Sequence, residues 1–169
     1  MALPEDLLAQ AKHLASKEPK KPKQASLRRA ISAAYYALFH LLVADAARVM
    51  SPAQPPALRA RVRRAFTHED MKKACIQFRP GKVENLTEAL KALVSEPIQS
   101  ELSLIADAFV ELQEARHDAD YDTTQVFARA DTLEKVEQAN EAFAAWKLVR
   151  NEPNATAFLA ALLLNRLWR

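Results

Sequence analysis

A chain of 169 residues, half of them hydrophobic and 27% charged, carries enough apolar material for one core and excludes a disordered polypeptide. Its single glycine, Gly81, argues against turn-rich β architectures and against glycine loops that cradle phosphate, which leaves an all-helical fold. The net charge of +3 conceals a division: residues 1–82 carry 16 Lys/Arg against 6 Asp/Glu, and residues 83–169 carry 8 against 15, so the basic half suits nucleic acid or the acidic half of another copy.

Pro4, Glu5 and Asp6 open a first helix, with proline and acids in the turn where the helix dipole favours them. It ends near Ser16, ahead of a solvated basic linker over 17–23. Residues 24–50 form the clearest helix. Leu27, Ile31, Ala34, Leu38, Leu41 and Asp45 fall at helical spacing, and Ala30, Tyr35 and Leu42 widen the stripe enough to predict a central helix. The proline-rich stretch 51–56 stops it. A third helix runs from about Ala57 to Cys75, with Thr67 able to cap a second part at a break near His68. Residues 77–85 read as a loop, and 86–94 as a short helix.

Pro97 takes the favoured first position of the next helix, whose stripe of Ile98, Leu102, Ile105, Phe109 and Leu112 continues to Arg116. Asp122, Thr123 and Thr124 predict the cap of a helix over 125–150, packed through Val126, Leu133, Val136, Phe143 and Val149. A terminal helix over 153–169 carries Phe158, Leu159, Leu162, Leu163, Leu167 and Trp168. Cys75 is the one cysteine, which excludes an internal disulfide. The apolar runs at 33–43 and 155–164 are too short for a bilayer span and the first residues lack a signal-peptide pattern, so a soluble, cytoplasmic protein without membrane association is expected.

The stretch from Arg116 to Asp122, Arg-His-Asp-Ala-Asp-Tyr-Asp, closes the stripe with a polar cluster. Helical geometry divides it into two pairs, Arg116 with Asp120 and His117 with Tyr121. Arg116 points inward and needs a partner, which makes an ion-paired helix end or dimer contact one reading and a phosphate site the other. Adjacent helical residues diverge by about 100°, so Arg116 and His117 do not face one phosphate from a regular helix. Tyr121 is a poor base at neutral pH. A calcium loop over 118–129 fails, because Thr123 replaces the turn glycine and Arg129 the bidentate glutamate. Arg29, Tyr36 and His40 fall near one face of the central helix and can complete a pocket with the Arg116 region, although Tyr36 and His40 read first as core residues with satisfied polar tips. Arg59, Arg61, Arg63 and Arg64 form a positive collar without interleaved aromatic side chains. His68 and Cys75 lack the further ligands of a zinc site, and neither a metal nor a cofactor is expected.

Two segments carry a family resemblance. Arg29-Ala30-Ile31-Ser32-Ala33-Ala34-Tyr35-Tyr36-Ala37-Leu38-Phe39-His40 is similar to the R-A-x-S-x-A-Y-Y-A-x-F-H signature of small bacterial and archaeal HEPN-domain proteins, followed later by an arginine and A-D-Y, here Arg116 and Ala119-Asp120-Tyr121. The resemblance spans roughly residues 5–150. It implies an all-α, up-and-down bundle of about six or seven helices, a homodimer with the arginine near its interface, and a toxin–antitoxin or defence setting. RNA and a nucleotidyltransferase-type antitoxin are the partners it implies. Many members are metal-independent ribonucleases in which an arginine steadies the phosphate and a histidine four to six residues later moves the proton. Tyr121, Asp122 and Thr123 occupy those positions here, so the proton carrier is missing. The sequence therefore reads as a HEPN-like protein that binds RNA, a nucleotide or a partner protein. The alternatives are a ribonuclease toxin using Arg116 with His117, Tyr121 or His40, and a structural dimerisation module.

Overall fold

Twenty-seven residues of uninterrupted helix, Gln24–Met50, run through the centre of the molecule and organise everything else. The computed structural model describes residues 2–53 and 55–168, of which the helices are α1 (Leu3–Ala15), α2 (Gln24–Met50), α3 (Pro56–Arg64), α4 (His68–Phe78), α5 (Glu88–Lys91), α6 (Ser100–Tyr121), α7 (Arg129–Val149) and α8 (Pro153–Leu164). Single 3₁₀ turns follow at Val83–Asn85 and Asn165–Leu167. Among the described residues there is no strand, and the all-α bundle expected from one glycine and continuous 3–4 periodicity is what forms.

The α2 stripe is buried on several sides because its small residues admit close neighbours. Ala30, Ala34, Ala37 and Ala46 are fully buried, and α1, α6 and α7 pack along the helix. By length and composition alone α2 could cross a membrane, but 78% of its apolar window is buried inside this fold. A second layer places α4 between α6 and α8, where Phe78 meets Phe158 edge to face at 5.0 Å. Phe158, Leu159 and Leu162 belong to the same core as α2, so the terminal helix is part of the packing that closes α4.

Tertiary hydrogen bonds move several predicted boundaries. The helix expected over Ala57 to Cys75 divides at the expected break near His68: α3 stops at Arg64, and Thr67 caps α4 by accepting the Asp70 amide at 3.2 Å, as its position predicts. The segment expected as a helix over 86–94 is one turn, Glu88–Lys91. Pro97 does not begin α6, which starts at Ser100; Asn154 of α8 claims the preceding backbone, accepting from the Ser95 amide at 2.9 Å and donating to the Ser95 carbonyl at 2.8 Å. Likewise α7 starts at Arg129 rather than near Gln125. The Gln24 side chain pairs with both backbone groups of Phe127, at 2.8 and 2.9 Å, and holds 125–128 extended. Asp122 closes a local turn onto Thr124 instead of capping α7. Val126 is consequently 80% exposed rather than part of the packing face, and Leu133 and Leu167 are exposed as well.

One buried carboxylate ties α2 to α7. Asp45 accepts from the Trp146 indole at 2.6 Å and from Arg150 at 2.8 Å, with Arg48 at 3.4 Å on its open side. Removing it leaves the indole N–H unpaired in the core. Asp45→Ala should therefore cost about 2–3 kcal/mol, the range for hydrogen bonds to a charged group, as a lower urea midpoint with an unchanged slope. A loss below about 0.5 kcal/mol, the scatter of neutral surface changes, would show that this network does not anchor α7.

Candidate functional site

Arg116 stands one turn beyond Leu112 on the apolar stripe of α6, so its side chain turns into the bundle and the residue is only 9% exposed. There it meets two aromatic side chains from α2. The guanidinium carbon lies 5.2 Å from the Tyr35 ring centre and 5.8 Å from that of Tyr36. Asp120, one turn further on, is 3.6 Å from one terminal nitrogen, and Nε is buried without a partner. Each cation–π contact contributes about 0.5–1 kcal/mol, and a loose, partly solvated ion pair about 1 kcal/mol at most. Desolvating a guanidinium costs several kcal/mol. Compensation within the chain is thus incomplete; Nε is shielded from solvent, so an anion can meet only the terminal nitrogens of the fork.

A second donor comes from α4. The Thr67 cap places His68 at the first helical position, and its Nδ1 lies 2.6 Å from the Tyr35 hydroxyl. Burial raises the Tyr35 pKa far above that of an ordinary phenol, so the hydroxyl keeps its proton. We assign Tyr35 as donor and Nδ1 as acceptor, since the protonated hydroxyl meets no other acceptor among the described residues. Burial first, then the Arg116 charge and then His40, lowers the His68 pKa, so the ring is neutral at pH 7. A neutral imidazole whose Nδ1 accepts carries its one N–H on Nε2. Arg116 and His68 therefore share Tyr35, one over its ring and the other on its hydroxyl.

Aromatic rings continue the site. Tyr36 and His40 stack at 6.1 Å with 28° between their planes, and the His68 ring sits 5.8 Å from Tyr36 and 4.5 Å from Phe39. Burial, then Arg63, lowers the His40 pKa. Of the residues singled out in the sequence, Arg116, Asp120, Tyr36 and His40 come together here. Arg29 is exposed and lines, with Tyr36, a separate hollow against α1. His117 and Tyr121 pair with each other, rings 5.1 Å apart, on the solvent side of α6. His117 shares with Arg116 only a shallow hollow of about 320 Å³ that Lys72 and Glu114 also line. The divergence of adjacent helical positions separates them, as the spacing requires.

His68 is the participant that sequence reasoning passed over. Weighed only against Cys75 as a metal ligand, it fails that test; Cys75 is fully buried, with its thiol pKa pushed up by burial. The available signal was the Thr67 cap, which fixes where α4 starts. Contact with Tyr35, 33 positions away, depends on how α4 lies on α2. Comparison with known proteins finds no matching family model, no similar curated protein and no similar solved structure.

Both histidines bind protons more weakly in the fold than in the unfolded chain, so the native state keeps its full stability above the unfolded value near 6.5 and loses it as pH falls toward the lower folded values. The carboxylates with lowered pKa, Glu18, Glu111 and Asp122, lose their contribution only below about 4.5, outside this window. Unfolding free energy should decline between pH 7.5 and 5. His68→Asn, which keeps an acceptor for Tyr35 but no titrating nitrogen, should flatten that decline. An unchanged slope in the variant would remove His68 from the buried cluster.

Proposed function

We propose that this chain is a HEPN-like helical module that binds single-stranded RNA at the Arg116–His68 site without cleaving it, in the toxin–antitoxin or defence setting its motifs imply. One observation carries the reading: the Arg116 guanidinium and the His68 ring gather around Tyr35, with Asp120 the guanidinium's one carboxylate partner among the described residues. Phosphate oxygens accept from both, and the fork of an arginine matches them in shape. Tyr36 and His40 offer rings on which a base can stack.

Cleavage at a ribose 2′-hydroxyl needs a group that takes its proton. His68 does not fill that role in its resting tautomer, since Nε2 already carries hydrogen. Moving the hydrogen to Nδ1 strands the Tyr35 hydroxyl proton in the core, at a cost of about 1–3 kcal/mol. His117 and Tyr121 face solvent away from the guanidinium, and His40 touches the cluster through the Tyr36 and Phe39 rings. The arrangement supports holding a phosphodiester over breaking it.

Fluorescence anisotropy with a labelled 12-nucleotide RNA tests this. Arg116→Ala should weaken binding at least tenfold. Arg116→Lys should recover only part, because an ammonium is a point charge without the fork. Should the alanine variant fold poorly, His68→Asn gives a milder loss of about fivefold, equivalent to one hydrogen bond of about 1 kcal/mol. The RNA should stay intact throughout. Full binding by a folded Arg116→Ala protein, or cleavage that depends on Arg116, overturns the proposal.

A further inference from the structure

Helix α3 is unlike every other long helix in the molecule. Its sequence, Pro-Ala-Leu-Arg-Ala-Arg-Val-Arg-Arg, contains four arginines and no acid, and none of its residues is buried. Nine residues are too few for a stable isolated helix. Its anchors are Val62, half-buried against the core, and Arg59, which donates to the Ser51 carbonyl at 3.2 Å. Arg61, Arg63 and Arg64 are exposed, and among the described residues no carboxylate pairs with them, although arginines elsewhere in the chain have acid partners, such as Arg79 with Asp107 and Glu111. Three neighbouring guanidinium groups without counter-charges repel one another. That cost falls when an anionic chain lies across them.

The placement of α3 narrows what that chain is. Arg63 and Arg64 line a hollow of about 520 Å³ together with His40, Arg150 and two carboxylates, Glu5 and the Asp45 that Arg150 already pairs. Arg64 also lines, with Arg61, the neighbouring depression along Ala57 and Ala60. On its other flank His40 stacks on Tyr36, over which Arg116 sits. From Arg61 through Arg64 and Arg63 the positive groups lead to the His40 ring, which stacks on Tyr36, with Arg116 beyond. The arginine collar therefore acquires, by folding, aromatic neighbours at one flank that it lacks in sequence. An acidic peptide or an anionic membrane uses the charge and leaves the rings unused. A single-stranded polynucleotide uses both, because each of its units brings a phosphate and a stackable face.

We infer that α3 is the backbone-tracking arm of the RNA site: the strand enters at Arg116, stacks on Tyr36 and His40, and lays its following phosphates on Arg63, Arg64 and Arg61. This rests on the RNA-binding reading above and gives that site a length and a direction. It follows that binding strength grows with strand length until the collar is covered, and that the collar sets the salt dependence.

The test compares wild type with Arg61→Ala/Arg63→Ala/Arg64→Ala, whose alanines favour helix and disturb no buried contact. Lys20→Ala/Lys21→Ala/Lys23→Ala serves as a control of equal charge, since it precedes the first turn of α2 while the collar borders His40, about 25 Å further along at 1.5 Å per residue. Anisotropy is read with oligouridylates of 2 and 12 nucleotides between 50 and 300 mM NaCl. Each phosphate contact to a single strand contributes about 0.7 to the slope of log K against log salt. Losing three should lower the 12-mer slope by about 2 and weaken 12-mer binding at least tenfold at the lowest salt, with dinucleotide binding and the lysine control close to wild type. An unchanged 12-mer slope in the arginine variant, while binding still depends on Arg116, overturns the arm and leaves the site standing. Equal losses in both triple variants overturn it in favour of diffuse charge attraction. Collar-dependent capture of polyglutamate or anionic vesicles, without RNA binding by wild type, overturns both the arm and the site.

Discussion

A helix buried on several sides cannot leave its polar groups to water, and that constraint on α2 shapes the whole molecule. Its hydrogen-bonding side chains each reach a different neighbour. Near its first turn, Arg28 donates to the Ala119 and Asp122 carbonyls at 2.9 and 2.8 Å and fastens the end of α6. At its middle, Tyr35 donates to His68 and fixes the start of α4. Toward its end, Asp45 takes the Trp146 indole and Arg150 of α7. Apolar packing brings these helices together without strong directional preference; the three polar links select the registers at which they dock.

The candidate site is a by-product of the same requirement. Tyr35 is fully buried, so its hydroxyl needs an acceptor and its ring needs cover. His68 supplies the first and Arg116 part of the second. What results is a pair of donors with opposed origins: one always charged, the other neutral because burial and its charged neighbours disfavour a second proton. A site made of donors attracts anions. On the proposed reading the site holds donors without a free base, in keeping with the sequence, which has no histidine four to six residues after Arg116.

Much of this was legible in the sequence wherever local rules govern. The breadth of the α2 stripe announced a central helix, the 3–4 spacing put Arg116 on the inner face beside Asp120, and the 100° step between neighbours placed His117 elsewhere. Thr67 announced its own cap. Where side chains distant in sequence bind backbone, local rules fail. Gln24 competes for Phe127 and delays α7, and Asn154 competes for Ser95 and delays α6, although Asp122 and Pro97 carry ordinary helix-start signals. His68 escaped notice for the same reason: its meaning lies in a hydroxyl on another helix. The arginine collar was visible as charge, but its aromatic companions come from α2 and appear beside it only after folding.

The chemistry of the site turns on where one hydrogen sits. Long-range proton–nitrogen NMR correlations of the His68 ring at pH 7 report this directly, since protonated and bare imidazole nitrogens resonate far apart. Hydrogen is expected on Nε2, with a bare Nδ1 facing Tyr35, and the Nε2 resonance should shift when RNA is added while Nδ1 stays bare. Hydrogen on Nδ1 with a bare Nε2 would contradict this, because His68 would then be the free base beside Arg116 that a ribonuclease requires.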